Sequence, residues 1–223
     1  MIFSRKTNNV CAVIPIFNEI EHLDKLIPEI HKYTDQLICI DDGSTDGSAE
    51  KLKSYDYIKI ISFKKNLGKG KALYHGLSES IRSGSDITIT IDADGQHDPS
   101  LIPNFILKNS SYDIVIGNRM NDLNRMPIQR RVSNRITSWL LSKKLGVEIV
   151  DSQSGFRSFR TSKLKNILPS STGFEAETEM IIKAVKQKCK IADINIPTIY
   201  NENKSKIKPI ETIIGFIKVY LLY

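Results

Sequence analysis

No stretch of the sequence runs for the roughly 18 apolar residues that a membrane-crossing helix needs. The nearest approach, residues 213–223, is short and interrupted by Lys218, so no spanning helix is expected. The opening MIFSRKTNNV has no long apolar core and leads straight into a strand pattern, which argues against a secretory leader. Cysteine is scarce: Cys11, Cys39 and Cys189 stand far apart. An odd, dispersed set excludes a disulfide framework and predicts reduced thiols in the cytosol. Neither the spacing of a Walker A loop nor the glycine fingerprint of a dinucleotide fold occurs. Internal repeats and low-complexity tracts are absent too.

What is present is a chain of 223 residues, 40% hydrophobic, enough to bury one sizeable core in a single domain. Lys and Arg outnumber Asp and Glu by 32 to 25, a net charge of +7 that favours anionic partners such as phosphates, nucleic acid or acidic lipid. Short Val- and Ile-rich runs predict strands over 10–16, 37–40, 58–63, 86–91 and 113–116. Segments of helical period fall between them at 21–33, 47–54, 68–83 and 99–108, with Asn18 and Ser44 suited to capping. Such alternation predicts an α/β fold with a mostly parallel central sheet. After Gly117 the pattern changes to a helix over 128–145, a turn over 151–155, a helix over 175–188, a strand over 191–196, a polar loop over 201–208 and a terminal helix.

Three segments carry candidate chemistry. ITITIDADGQHDP sets Asp92 and Asp94 just past a strand, with Gln96 and His97 in the following turn. Carboxylates there face the crevice where open α/β sheets bind ligands, and hard oxygen donors suit Mg²⁺ or Mn²⁺ bridged to a diphosphate. An isolated Asp-x-Asp is more often a solvated turn, so the reading depends on the other segments. CIDDGSTDGS places Asp41 and Asp42 after the second strand, where a carboxylate can bond a base or ribose, while Ser44 and Asp46 suit a turn and cap. NLGKGKAL is a glycine turn leading Lys69 and Lys71 into a helix whose first amides favour an anion.

Together with VIPIFNE (13–19), IGNR (116–119), DSQSGFRSF (151–159), FEAETEM (174–180) and IPTIYNENKSKIKP (196–209), these motifs run in order along nearly the whole chain. The set resembles family 2 glycosyltransferases of the GT-A fold, an α/β/α sandwich that binds nucleotide sugars. Within them it is similar to the polyprenyl-phosphate (dolichyl-phosphate) mannosyl- and glucosyltransferases. The resemblance implies a donor and metal half over 1–118 and an acceptor half with membrane-facing helices over 119–223. It implies that Pro15, Phe17, Glu19 and Asp42 line the nucleotide pocket with Lys69 or Lys71 nearby, and that Asp92, Asp94 and Gln96 bind the metal, Asp94 foremost. Arg119 would hold the acceptor phosphate, with Arg130 or Arg131 as a second clamp near Ser133. The implied reaction is inverting transfer of a hexose from a GDP- or UDP-sugar to a polyprenyl phosphate. The enzyme would sit peripherally on the cytoplasmic face of a membrane.

Asp151 could be a base for a hydroxyl acceptor or could orient Arg157 and the acceptor loop; a phosphate acceptor needs no base, which favours the second role. Glu175 and Glu177, near a helix start, suit capping, and their roles stay open. From 123 to 146 there are six basic residues and no acidic one, with Ile128, Val132, Ile136, Trp139 and Leu140 at helical spacing. This helix either lies on an anionic membrane surface or buries its stripe against the sheet. Lys204, Lys206 and Lys208 before the terminal helix suit lipid headgroups. The alternatives are transfer to a sugar or other hydroxyl, nucleotidyl transfer, and nucleic-acid binding, the last leaving the acidic turns unexplained.

Overall fold

A computed structural model describes residues 8–121, 126–199 and 209–223. Seven strands form one sheet in the order β3-β2-β1-β4-β6-β5-β7. The strands are β1 (Val10–Ile16), β2 (Gln36–Asp41), β3 (Ile58–Ser62), β4 (Ile87–Thr90), β5 (Ile114–Asn118), β6 (Arg157–Arg160) and β7 (Ile191–Asn195). All neighbours pair in parallel except β6, which runs antiparallel to both β4 and β5. The helices are α1 (Ile20–His31), α2 (Ser48–Leu52), α3 (Lys69–Arg82), α4 (Ile102–Lys108), α5 (Ile128–Leu145), α6 (Thr161–Leu164), α7 (Ala176–Lys186) and α8 (Pro209–Leu222), and a 3₁₀ turn at Pro99–Leu101 precedes α4.

The strand period of two splits the core into two layers. Val10, Ala12, Ile14 and Ile16 of β1 face Leu23, Ile27 and Ile30 of α1 and Phe105 of α4. Cys11 and Val13 face the other way, onto Leu73 and Leu77 of α3, in a cluster that also holds Met180 and Ile181 of α7. The result is the α/β/α arrangement expected. α3 lies so close to the sheet that a Cβ on Gly76 would stand 2.4 Å from Val13 Cγ1. All three thiols are free.

One expectation needs correction, and one strand was not anticipated. Asn18 and Ser44 do not cap their own helices: Asn18 is left-handed (φ 56°), its amide donates to Ser44 Oγ at 3.0 Å, and its Oδ1 accepts from Thr45 N at 2.7 Å. The start of α1 is satisfied across the loop instead, Glu19 N donating to Ser48 Oγ and Ile20 N to Asp46 Oδ2. The unanticipated strand is β6, which the sequence conceals. Its RSFR puts a charged residue at the centre of a sheet, and Arg157 is tolerated there because its guanidinium donates to the carbonyls of Ser152, Ser154 and Glu177 at 2.8–2.9 Å. The basic loop over 201–208, with Lys204, Lys206 and Lys208, lies outside the described residues. Among the described residues no helix is long and apolar enough to cross a membrane.

Candidate active site

Parallel strands deliver their carboxyl ends to one edge of the sheet, and that edge opens into a cleft of about 1250 Å³. β1 brings Phe17 and Glu19 to it, β2 Asp42, β4 Asp92, Asp94 and Gln96, and β5 Arg119. Because β6 runs backwards, its beginning rather than its end reaches the same edge: Arg157 pairs with Thr90. The turn over 151–155 therefore arrives beside the Asp-x-Asp segment. A Cβ on Gly155 would stand 2.1 Å from Asp92 Oδ2, so only glycine lets the turn lie flush against that carboxylate.

Asp92 is held from two sides. Lys69 Nζ lies 2.7 Å from its Oδ1 and His97 Nε2 3.8 Å from its Oδ2. Burial disfavours the Asp92 anion, yet Lys69 and then His97 outweigh it and hold the carboxyl far below the usual carboxylate range. Lys69 also lies 3.1 Å from Glu177 Oε1 and 5.6 Å from the centre of the Phe174 ring. Burial alone would lower the Lys69 pKa; the Asp92 and Glu177 carboxylates raise it above the ordinary lysine value. Glu177 is pushed the other way, upward by burial against the pull of Lys69 and Arg157. Asp94 Oδ1 accepts from Gln96 N at 3.0 Å, and both side chains line the cleft.

At the end of β5 the central feature is a clamp of Arg119 by Asp151. Arg119 Nε and Nη2 donate to the two carboxylate oxygens at 2.8 and 3.0 Å, and the Arg119 amide adds a third bond at 3.1 Å. Asn134 Nδ2 (2.7 Å) and Gln153 N (3.2 Å) complete the shell. Asp151 is 1% exposed; burial works against its anion, but Arg119 wins and lowers its pKa. Such a carboxylate is a weak base already committed to a cation. The expectation that Asp151 orients Arg157 is corrected on this point: the residue it orients is Arg119.

Pro15, Phe17, Glu19, Asp42, Lys69, Asp92, Asp94, Gln96, Arg119 and Arg130 share this one cleft. Lys71, Arg131, Ser133 and Asp151 do not line it. Lys71 sits two residues beyond Lys69, about 200° around the helix, and is exposed near the Tyr74 ring. Of the adjacent pair on α5, Arg130 reaches the cleft, and the exposed Ser133 hydroxyl accepts from the far end of Gln153 at 3.4 Å. Asp42, expected at the base or ribose, spends both oxygens on the amides of Leu67 and Gly68 at 2.7 and 3.0 Å, bracing the loop that carries Lys69. Glu175 Oε1 accepts from Gly173 N at 3.1 Å, and α7 has no side-chain cap.

Sequence reasoning missed Asn134, Gln153, Phe174 and the cleft-lining residues Thr212, Gly215 and Lys218 of α8. Only the glycine at 215 signalled a close approach: a Cβ there would meet Glu175 Oε2 at 2.7 Å. Among the described residues no three His, Cys, Asp or Glu side chains form a self-sufficient metal cage. The donor set is of another type, two carboxylates and an amide facing an open cleft, and it fits a hard cation that draws further oxygens from a diphosphate.

A profile described as "Glycosyl transferase family 2" matches residues 11–168. The chain is 32% identical to the UDP-N-acetylglucosamine–dolichyl-phosphate N-acetylglucosaminyltransferase of Methanococcus voltae, across 96% of this chain and 94% of that protein. It is 25% identical to the polyprenol monophosphomannose synthase of Mycolicibacterium smegmatis, across 86% and 78%. In fold it is similar to the glucosyl-3-phosphoglycerate synthase of Mycobacterium tuberculosis in complex with Mn²⁺, UDP and glucosyl-3-phosphoglycerate. That match has a TM-score of 0.74 at 19% identity over 96% of this chain and 79% of the other.

Proposed function

The chain belongs to glycosyl transferase family 2, and from that premise we propose that it transfers a hexose, with inversion, from a nucleoside diphosphate sugar to the phosphate of a polyprenyl phosphate at a membrane surface. The observation that carries this reading is the single cleft in which the β1 and β4 donor-side residues meet Arg119, an arginine locked in place by a buried carboxylate. The named activities of the relatives support the acceptor class.

Phe17 and Glu19 would flank the nucleotide, while Lys69 offers its charge near the diphosphate. Asp94, Gln96 and Asp92 would hold Mg²⁺ or Mn²⁺, which when bound neutralises charge on the departing nucleoside diphosphate. Arg119 and Arg130 hold the acceptor phosphate in line with the anomeric carbon. A phosphate monoester has its second pKa near ~6 and is largely dianionic at neutral pH, so one of its oxygens attacks unaided. As that C–O bond forms, the bond to the donor diphosphate breaks and the nucleotide leaves with the electron pair, so the anomeric configuration inverts. Asp151 acts as a positioning residue. Its commitment to Arg119 disfavours the alternative of a hydroxyl acceptor, for which it was the candidate base.

Labelled UDP- and GDP-sugars offered with polyprenyl phosphate and Mg²⁺ or Mn²⁺ test the reading. Label is expected in the organic phase with one donor and is lost in Asp94→Asn. Label appearing only on water-soluble hydroxyl acceptors would overturn it.

A further inference from the structure

Glu177 is a buried carboxylate that the proposed transfer leaves without a task, and its partner is Lys69. The Lys69 ammonium lies between two carboxylates, 2.7 Å from Asp92 Oδ1 and 3.1 Å from Glu177 Oε1, with the Phe174 ring centre 5.6 Å away. Its side chain is only 13% exposed, yet Lys69, Asp92, Phe174 and Glu177 all line the cleft. One ammonium therefore serves two carboxylates, and one of the two belongs to the set proposed to hold Mg²⁺ or Mn²⁺.

The surroundings decide which of these groups can yield. Asp92 is backed by Gly155, where a Cβ would stand 2.1 Å from its Oδ2, and the same oxygen faces His97. The backbone of Lys69 is pinned as well. A Cβ on Gly68 would stand 2.4 Å from the Thr172 carbonyl oxygen and one on Gly70 2.2 Å from that of Ser171, while Gly70 N donates to Thr172 O at 2.7 Å. What is left to move is the lysine side chain, an ammonium on a flexible four-carbon stem.

We propose that Lys69 holds the place of the metal on Asp92. A divalent cation takes this carboxylate by displacing the ammonium, which Glu177 keeps in the cleft until the donor diphosphate receives it. Glu177 is thus a positioning residue that acts through Lys69. The last step, onto the diphosphate, rests on the glycosyl-transfer reading of the cleft. Two cations sharing one carboxylate repel strongly where water is scarce, so metal alone binds against Lys69. A diphosphate relieves that opposition by taking up the ammonium. Metal and nucleotide then strengthen one another, by the same factor in either order.

Free Mn²⁺ counted by electron paramagnetic resonance, in the absence of nucleotide, reads the competition directly. Lys69→Met is expected to bind Mn²⁺ at least tenfold more tightly than the wild type, and Lys69→Arg, which keeps the charge, no more tightly. Adding Asp92→Asn to Lys69→Met should remove the gain. If circular dichroism finds the methionine variant unfolded, Lys69→Gln carries the same test, because its amide can donate to both carboxylates. Glu177→Gln should weaken Mn²⁺ binding severalfold while Lys69 is present and by less in the Lys69→Met background, where there is no ammonium to position. With Mn²⁺ saturating, calorimetry with UDP and with GDP should show the neutral variant binding the preferred nucleotide at least tenfold more weakly than the wild type.

Equal Mn²⁺ affinity in the wild type and the folded neutral variants would overturn the proposal, as would a gain that survives Asp92→Asn. An equal effect of Glu177→Gln in both backgrounds would do the same, since it would show a carboxylate acting on the metal without Lys69. Tighter Mn²⁺ binding by Lys69→Met, together with a wild type that transfers no sugar to polyprenyl phosphate, would instead contradict the proposed activity and leave the role of Lys69 at Asp92 standing.

Discussion

Helices α3 and α5 are of similar length and flank the same cleft, yet they are built on opposite plans. α3 turns Ala72, Leu73 and Leu77 inward. α5 turns Asn134 and Ser138 inward beside Leu141 and exposes Ile128, Val132, Ile136 and Trp139. The difference follows from what each helix covers. Beneath α3 lies an apolar sheet face, so burial of leucines at about 25 cal/mol per Å² decides its orientation. The partner of α5 is the polar turn over 151–155, whose buried carboxylate must be satisfied, and a polar helix face is the one that satisfies it. The inward face of α3 is thus held by hydrophobic packing, that of α5 largely by hydrogen bonds to a buried, charged turn.

The largest effect should come from breaking the network. Asp151→Leu strands a largely buried Arg119 charge and is expected to destabilise by about 3–5 kcal/mol, read as a lowered denaturant midpoint. Adding Arg119→Met should return part of that loss, and an additive double variant would contradict the coupling. On the other plan, Leu77→Ala in α3 should cost about 2–5 kcal/mol through the cavity it leaves, with no partner able to rescue it.

Acid should separate the regions by a different route. Burial disfavours the Glu179 anion, but Lys183, with Ser171 and Ser170, holds its pKa down to about 2. Tyr223 Oη and the two serine amides donate to the same carboxylate. A depressed folded pKa contributes stability that is fully present above the unfolded value, about 4.3, and is lost as pH falls toward 2. Glu179→Gln should therefore lower stability at neutral pH and flatten the acid limb of a stability–pH profile; an unaltered limb would contradict this. Smallest of all, Ile136→Ser should change stability by no more than about 0.5 kcal/mol. A cost above 2 kcal/mol would mean that the α5 stripe is covered after all.

The same contrast explains what the sequence made legible. β1 and α5 were bounded correctly, because alternating Val and Ile and a clean helical period survive any tertiary context. The direction in which α5 faces was not legible, since an apolar stripe has the same period whether it is buried or exposed. β6 stayed hidden because its first residue is a buried arginine, accommodated by the carbonyls of Ser152, Ser154 and Glu177. Residues of the cleft carried on strand ends, such as Asp92, Asp94 and Arg119, could be named from motifs. That Arg130 rather than Arg131 lines the cleft, and that Asp151 bonds Arg119 rather than Arg157, needed the fold.

The central claim is that Arg119, set by Asp151, receives the acceptor phosphate. Steady-state kinetics of Arg119→Gln with the acceptor varied, alongside donor affinity measured by calorimetry, test it most directly. The account predicts kcat/KM for the acceptor reduced by about 10²- to 10³-fold with donor affinity unchanged. Weakened donor binding with an unaltered acceptor KM would contradict it.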